Sequence, residues 1–124
     1  MAGLNTYQTG DVLFKEGDLG DRVYFITSGR VQVAKTLANG EDRELAVLGE
    51  GDIVGEMAVL DGRPRSATVT ALELTEVLEV PKENFLHSME QQPKLAINFL
   101  KLLALRIDQM NERFKDALAE VAHS

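Results

Sequence analysis

GEMAVLDGRPRSATV, residues 55–69, is the stretch on which the reading of this chain turns. A glycine and a glutamate open it, a short apolar run follows, and two arginines, a serine and a β-branched tail close it. Glu56 to Leu60 has the composition of one or two helical turns, with Gly55 at or just before the start. The first amides of a helix have no intrahelical acceptor and carry a partial positive charge, which favours an anion. Gly55, lacking a side chain, lets a ligand approach that backbone closely. Asp61-Gly62 turns the chain, and Pro64 stiffens the entry to Arg65. Arg65 can offer a planar fork to a phosphate, with the Ser66 hydroxyl beside it. Glu56 is the misfit, because a carboxylate repels an anion unless it accepts hydrogen bonds from something else. Sugar hydroxyls are suitable donors, so a ligand bearing a phosphate and a free hydroxyl satisfies the set. The same three residues, Gly55, Glu56 and Arg65, also fit a surface loop with an ordinary Glu–Arg ion pair.

The surroundings narrow the choice. The chain has 124 residues, 44% of them apolar, which predicts one soluble domain with a core of its own. With no cysteine there is no disulfide framework, thiolate metal site or cysteine nucleophile, and a reducing cytoplasm is the expected setting. The opening residues show no secretory leader, and no apolar run approaches the roughly 20 residues a bilayer requires. A formal charge of −7 argues against nucleic-acid binding, which leaves a basic footprint. His87 and His123 are isolated, so no metal is expected. Glu56 and Asp61 have no nucleophile or histidine beside them, so no catalysis is expected either.

Up to about Val80 the chain is a series of short β-rich runs between turn residues. RVYFITSG and RVQVAKTL meet near Ser28-Gly29; VQVAKTL and RELAVLG flank Asn39-Gly40, a hairpin signal. ATVTALE and LTEVLEV complete the set. Val31/Val33 and Leu45/Val47 alternate with polar residues, which predicts a buried face on each strand. Arg22, Arg30, Lys35, Glu41, Arg43 and Arg63 read as solvated charges. Strands at this spacing suggest an antiparallel sandwich or barrel such as a jelly roll. After Pro81 the period changes: KENFLHSMEQQ predicts a short helix stopped before Pro93, and a long or kinked helix follows to about Val121. Leu103, Ile107, Met110, Phe114, Ala117 and Val121 make an a/d-like stripe, which fits packing on the β part, a homodimer seam, or both.

VGEMAVLDGRPRSATVTA resembles the phosphate-binding cassette of the cyclic nucleotide-binding domain family: Gly-Glu, an apolar-small-apolar run, a short spacer, then Arg, one of Ser, Thr or Ala, and Ala-x-apolar. GDVLFKEGDLGDRVYFITSGRVQV and LGEGDIVGE are similar to the family's opening strands and its approach to the cassette, so the resemblance covers nearly the whole chain. It implies a mainly β fold, an antiparallel jelly-roll (double-stranded β-helix) barrel over about residues 5–80 with C-terminal helices over about 82–121, in a single domain spanning 1–124. It also implies a cyclic nucleotide as ligand, cAMP ahead of cGMP, and no cofactor. Arg65 would clamp the cyclic phosphate, with Ser66 and the backbone amides of Met57 and Ala58 as further donors and Gly55 allowing approach. Glu56 would accept from the ribose 2′-hydroxyl, and Val59 would couple the cassette to the following helices. Asn111, Met110 and Phe114 would meet the base from the long helix. The expected role is a sensor without catalysis that relays binding through that helix. The alternatives are a dimerisation module with a degenerate pocket, or a sensor fragment of a channel, kinase or transcription regulator. No nucleic acid or membrane is expected as a partner.

Overall fold

Alternating Val, Ile, Thr and aromatic residues between glycine turns fold as strands because branched side chains pack well on a pleated surface. The computed structural model describes residues 3–105 and 108. The strands are β1 (Gly3–Tyr7), β2 (Val12–Phe14), β3 (Arg22–Ser28), β4 (Arg30–Thr36), β5 (Asp42–Gly49), β6 (Ile53–Val54), β7 (Thr68–Ala71) and β8 (Thr75–Pro81). Helix α1 (Glu56–Asp61) lies between β6 and β7, and α2 (Lys82–Gln91) follows β8. The chain divides into two compact units, 1–86 and 87–124.

In the first unit, two four-stranded antiparallel sheets form, ordered β1-β8-β3-β6 and β2-β7-β4-β5. This is the jelly-roll arrangement expected, seen as two sheets. Leu13, Tyr24, Ile26, Val31, Val54, Val69, Ala71 and Val77 from both sheets make one core, joined at its margin by Phe14. Burying each of the Leu, Ile and Val side chains among these stabilises the fold by about 1.5–3 kcal/mol. The β4–β5 hairpin closes at Asn39-Gly40, as its sequence predicts. Gly40 has φ +85°, and the Asn39 carboxamide oxygen accepts from the Glu41 amide at 3.0 Å. The charges read as solvated, including Arg22, Arg30, Lys35, Glu41, Arg43 and Arg63, are exposed.

One expectation fails. Leu45 and Val47 are exposed, at 46% and 40%, and the half-buried residues of β5 are Ala46, Leu48 and Gly49. The register explains it: Val31 faces Leu48 and Val33 faces Ala46, and then an irregularity brings Ala34 opposite Glu44, so Leu45 is the extra residue of a bulge. Val47 pairs with Gln32, on the opposite face to Val31, and β5 is an edge strand. Val47→Ser should therefore change unfolding free energy by less than about 0.5 kcal/mol, whereas Val31→Ala should cost on the order of 2 kcal/mol. Urea titration of the two variants checks the assignment.

In the second unit, residues 93–105 are helical, after a break at Gln92 where Pro93 disfavours helical backbone in its predecessor. His87 is exposed and Phe99 is buried. Leu103 lies in this helix and is half-buried. Ile107, Met110, Asn111, Phe114, Ala117, Val121 and His123 lie outside the described residues, and with them the expected base contacts and most of the stripe.

Candidate functional site

The cassette folds as its sequence predicts, and its two ends are set by glycines. Gly55 precedes α1 with φ +84°, in the left-handed region, and a Cβ there would collide with Arg65 Nη1 and sit 3.2 Å from the Phe14 ring. Only glycine meets both conditions. Gly62 closes α1, its amide donating to the Ala58 carbonyl at 3.0 Å. Along the six-residue helix Glu56, Ala58 and Val59 are buried, while Met57 and Leu60 are exposed.

Arg65 lies at the centre of what the fold brings together. It comes from the segment between α1 and β7, and the residue is only 3% exposed. Its backbone is clasped by the β2–β3 connection: the Arg65 amide donates to the Asp18 carbonyl at 2.7 Å, and the Gly17 amide to the Arg65 carbonyl at 2.8 Å. Nη1 donates to the Gly55 carbonyl at 2.6 Å and Nη2 to the Arg22 carbonyl at 2.7 Å. The guanidinium carbon lies 4.1 Å from the Phe14 ring centroid and 5.8 Å from that of Tyr24. Nε is buried and has no hydrogen-bond partner among the described residues.

That arrangement has an electrostatic consequence. Carbonyls carry no formal charge, so neither bond neutralises the cation, and burial draws the Arg65 pKa below its ordinary value. An orphaned N–H of this kind costs about 1–3 kcal/mol, a cost an incoming anionic acceptor removes. Glu56, the first residue of α1, is 5% exposed, so a buried carboxylate stands in the cassette with the buried cation. Ser66, next to Arg65, is exposed, as is Arg63, whose amide donates to the Asp61 carboxylate at 3.0 Å.

Neighbouring polar groups brace the β3 end of the site. Arg22, whose carbonyl receives Nη2, pairs with Asp21 at 3.1 Å and lies 4.0 Å from the buried Glu79, which accepts from the Tyr7 hydroxyl at 2.8 Å. Burial, with that bond to Glu79, pushes the Tyr7 hydroxyl well above its usual pKa. Among the described residues no cluster of three metal-ligating side chains exists, and no helix is long and apolar enough to cross a membrane.

Sequence reasoning placed Gly55, Glu56 and Arg65 together and missed three contributors: Phe14, the Arg22 carbonyl and Gly20. A Cβ on Gly20 would sit 2.6 Å from Ala58 Cβ and 3.3 Å from Arg65 Cζ, so Gly20 is what lets α1 and the guanidinium pack this closely. The Gly17/Gly20 spacing in KEGDLGD was the available signal.

The sequence model of the cyclic nucleotide-binding domain matches residues 4–92, which span both sheets and the whole cassette. The chain belongs to the cyclic nucleotide-binding domain family. This cyclic nucleotide-binding domain is 37% identical over 123 residues to the cyclic AMP receptor protein of Thermus thermophilus, a match covering 95% of the chain and 57% of the relative. It is 38% identical over 82 residues to a cAMP-dependent protein kinase regulatory subunit of Dictyostelium discoideum, covering 64% of the chain and 25% of the relative. Its structure is similar to the crystal structure of the Thermus thermophilus catabolite activator protein, with a TM-score of 0.81 and 36% identity over 92% of this chain and 54% of that one. The domain thus spans about half the length of the bacterial receptor it matches.

Proposed function

We propose that this chain is a cytoplasmic sensor that binds cAMP in preference to cGMP, performs no chemistry, and relays binding through its C-terminal helix. The observation that carries the reading is the buried Arg65 guanidinium, its charge not neutralised by the two carbonyls it meets and its Nε without a partner, in one cassette with buried Glu56. Arg65 takes the cyclic phosphate, assisted by Ser66 and the amides of Met57 and Ala58, with Gly55 allowing the approach. Glu56 accepts from the ribose 2′-hydroxyl. Val59, 2% exposed on the inner side of α1, couples the cassette to the following helices. Asn111, Met110 and Phe114 meet the base, and the Leu103–Val121 stripe serves a homodimer. Two relatives named for cyclic AMP support the preference over cGMP. The coverage, nearly all of this chain against 57% of the bacterial receptor, supports a sensor part of a longer regulator whose output lies in other residues.

Calorimetric titration with cAMP, cGMP and linear 5′-AMP tests the reading. The expected order is cAMP tightest, cGMP weaker, and the linear monophosphate weaker still, because the clamp receives a cyclic diester with its sugar hydroxyl alongside. Equal binding of 5′-AMP and cAMP would remove the cyclic-phosphate assignment. No binding of either cyclic nucleotide at millimolar concentration would remove the sensor.

A further inference from the structure

We propose that Phe14 is a positioning residue for Arg65: its ring is a shelf that holds the guanidinium plane so that the Nε edge is presented to the ligand phosphate. The inference rests on the reading of Arg65 as the phosphate clamp. Two carbonyls, from Gly55 and Arg22, hold the Nη groups at 2.6 and 2.7 Å and fix rotation within the guanidinium plane. They do not fix tilt out of that plane; a flat surface under it does. The Phe14 ring supplies one at 4.1 Å, well inside the roughly 6 Å range of a cation over an aromatic face.

The shelf is itself anchored. Phe14 is half-buried, packs against the core, and has its ring 5.5 Å from that of Tyr24. Strand β2 shifts register between Val12 and Phe14 against β7, an irregularity of the kind that re-aims a side chain. The ring also meets the electrostatic problem of the site: its negative face attracts a buried cation that the two carbonyls leave without a counter-charge. An arginine held in place before ligand arrives surrenders little rotamer freedom on binding. The bland reading of Phe14 as core filler accounts for its packing, but not for the guanidinium on its face.

The experiment compares Phe14→Leu, which keeps apolar volume without a π face, and Phe14→Tyr, which keeps the ring. Calorimetry with cAMP is combined with proton–nitrogen correlation spectra of the Arg65 Nε–H, which a ring below it shields. Phe14→Leu is expected to bind cAMP about 3- to 10-fold more weakly and to move the Arg65 Nε–H downfield. Phe14→Tyr is expected to stay within about twofold of the parent and keep the shielded resonance. Parent-like binding by Phe14→Leu overturns the inference, as does weakened binding with an unmoved Nε–H, which assigns the effect to packing. If Phe14→Tyr loses as much as Phe14→Leu, the shelf is likewise overturned. Arg65→Ala, run alongside, separates the two levels. Parent-like binding there removes the clamp and the shelf together, whereas impaired Arg65→Ala with parent-like Phe14→Leu removes the shelf alone.

Discussion

Arg65→Ala is expected to weaken cAMP binding by about 30-fold to several thousand-fold. Losing one partner of a buried, hydrogen-bonded charge pair commonly costs about 2–5 kcal/mol, and each 1.4 kcal/mol is a factor of ten. Two features place this site in that class. Arg65 is 3% exposed, so water screens its field poorly, and its Nε has no partner among the described residues. The fold should survive the change better than the site does. Arg65→Ala takes one donor from each of the Gly55 and Arg22 carbonyls, but it also removes an imperfectly compensated buried cation, and these terms oppose each other. The backbone bonds from Arg65 to Asp18 and from Gly17 to Arg65 do not depend on the side chain. The thermal shift given by saturating cAMP on the parent should therefore shrink sharply in the variant at the same ligand concentration, while the midpoint without ligand moves far less. Arg65→Lys keeps the charge but loses the planar fork and Nε, and it should fall between the two. Unchanged calorimetric affinity in Arg65→Ala removes the phosphate assignment.

What could be read in the sequence divides along the range of the interactions involved. Strands β3, β4, β5, β7 and β8 were legible because alternation and glycine turns are local signals. The two-residue β6 was not, since Ile53-Val54 is too short to show a period. The face of β5 was misread for a similar reason. The pairing of Val31 and Val33 with Leu48 and Ala46 decides which side faces the core, a one-residue bulge then sets Leu45 aside, and nothing near Leu45 announces either. The cassette was legible from its residue types: a carboxylate two residues from a helical alanine, and an arginine after a proline, in one short segment. Phe14 and the Arg22 carbonyl join the site only when β2 and β3 are folded against it, so no local pattern names them; for Gly20 the Gly17/Gly20 spacing is the one local hint. The Tyr7–Glu79 bond, across a sequence separation of 72 residues, was invisible for the same reason.

Glu56→Gln is the sharper test of what kind of anion binds. Two effects of the change oppose each other. Glutamine removes a negative charge that repels a phosphate, which by itself would tighten binding. It also replaces a charged acceptor with a neutral one at the ribose 2′-hydroxyl, which weakens it. A hydrogen bond to a charged group is worth about 1.5–3 kcal/mol, against about 0.5–1.5 kcal/mol for a neutral one. Repulsion between Glu56 and the phosphate is offset by the Arg65 cation in the same cassette, so the hydrogen-bond term is expected to win. The outcome should be a roughly 3- to 30-fold loss of cAMP affinity for Glu56→Gln, and a loss of about 10- to 150-fold for Glu56→Ala, which keeps no acceptor at all. The ligand supplies the other half of the cycle. 2′-Deoxy-cAMP should bind the parent far more weakly than cAMP does, while Glu56→Ala should bind the two ligands alike, because the hydroxyl and its acceptor act as one unit. If Glu56→Gln instead binds cAMP more tightly than the parent, repulsion dominates, and the buried glutamate beside a phosphate clamp requires an explanation other than a sugar.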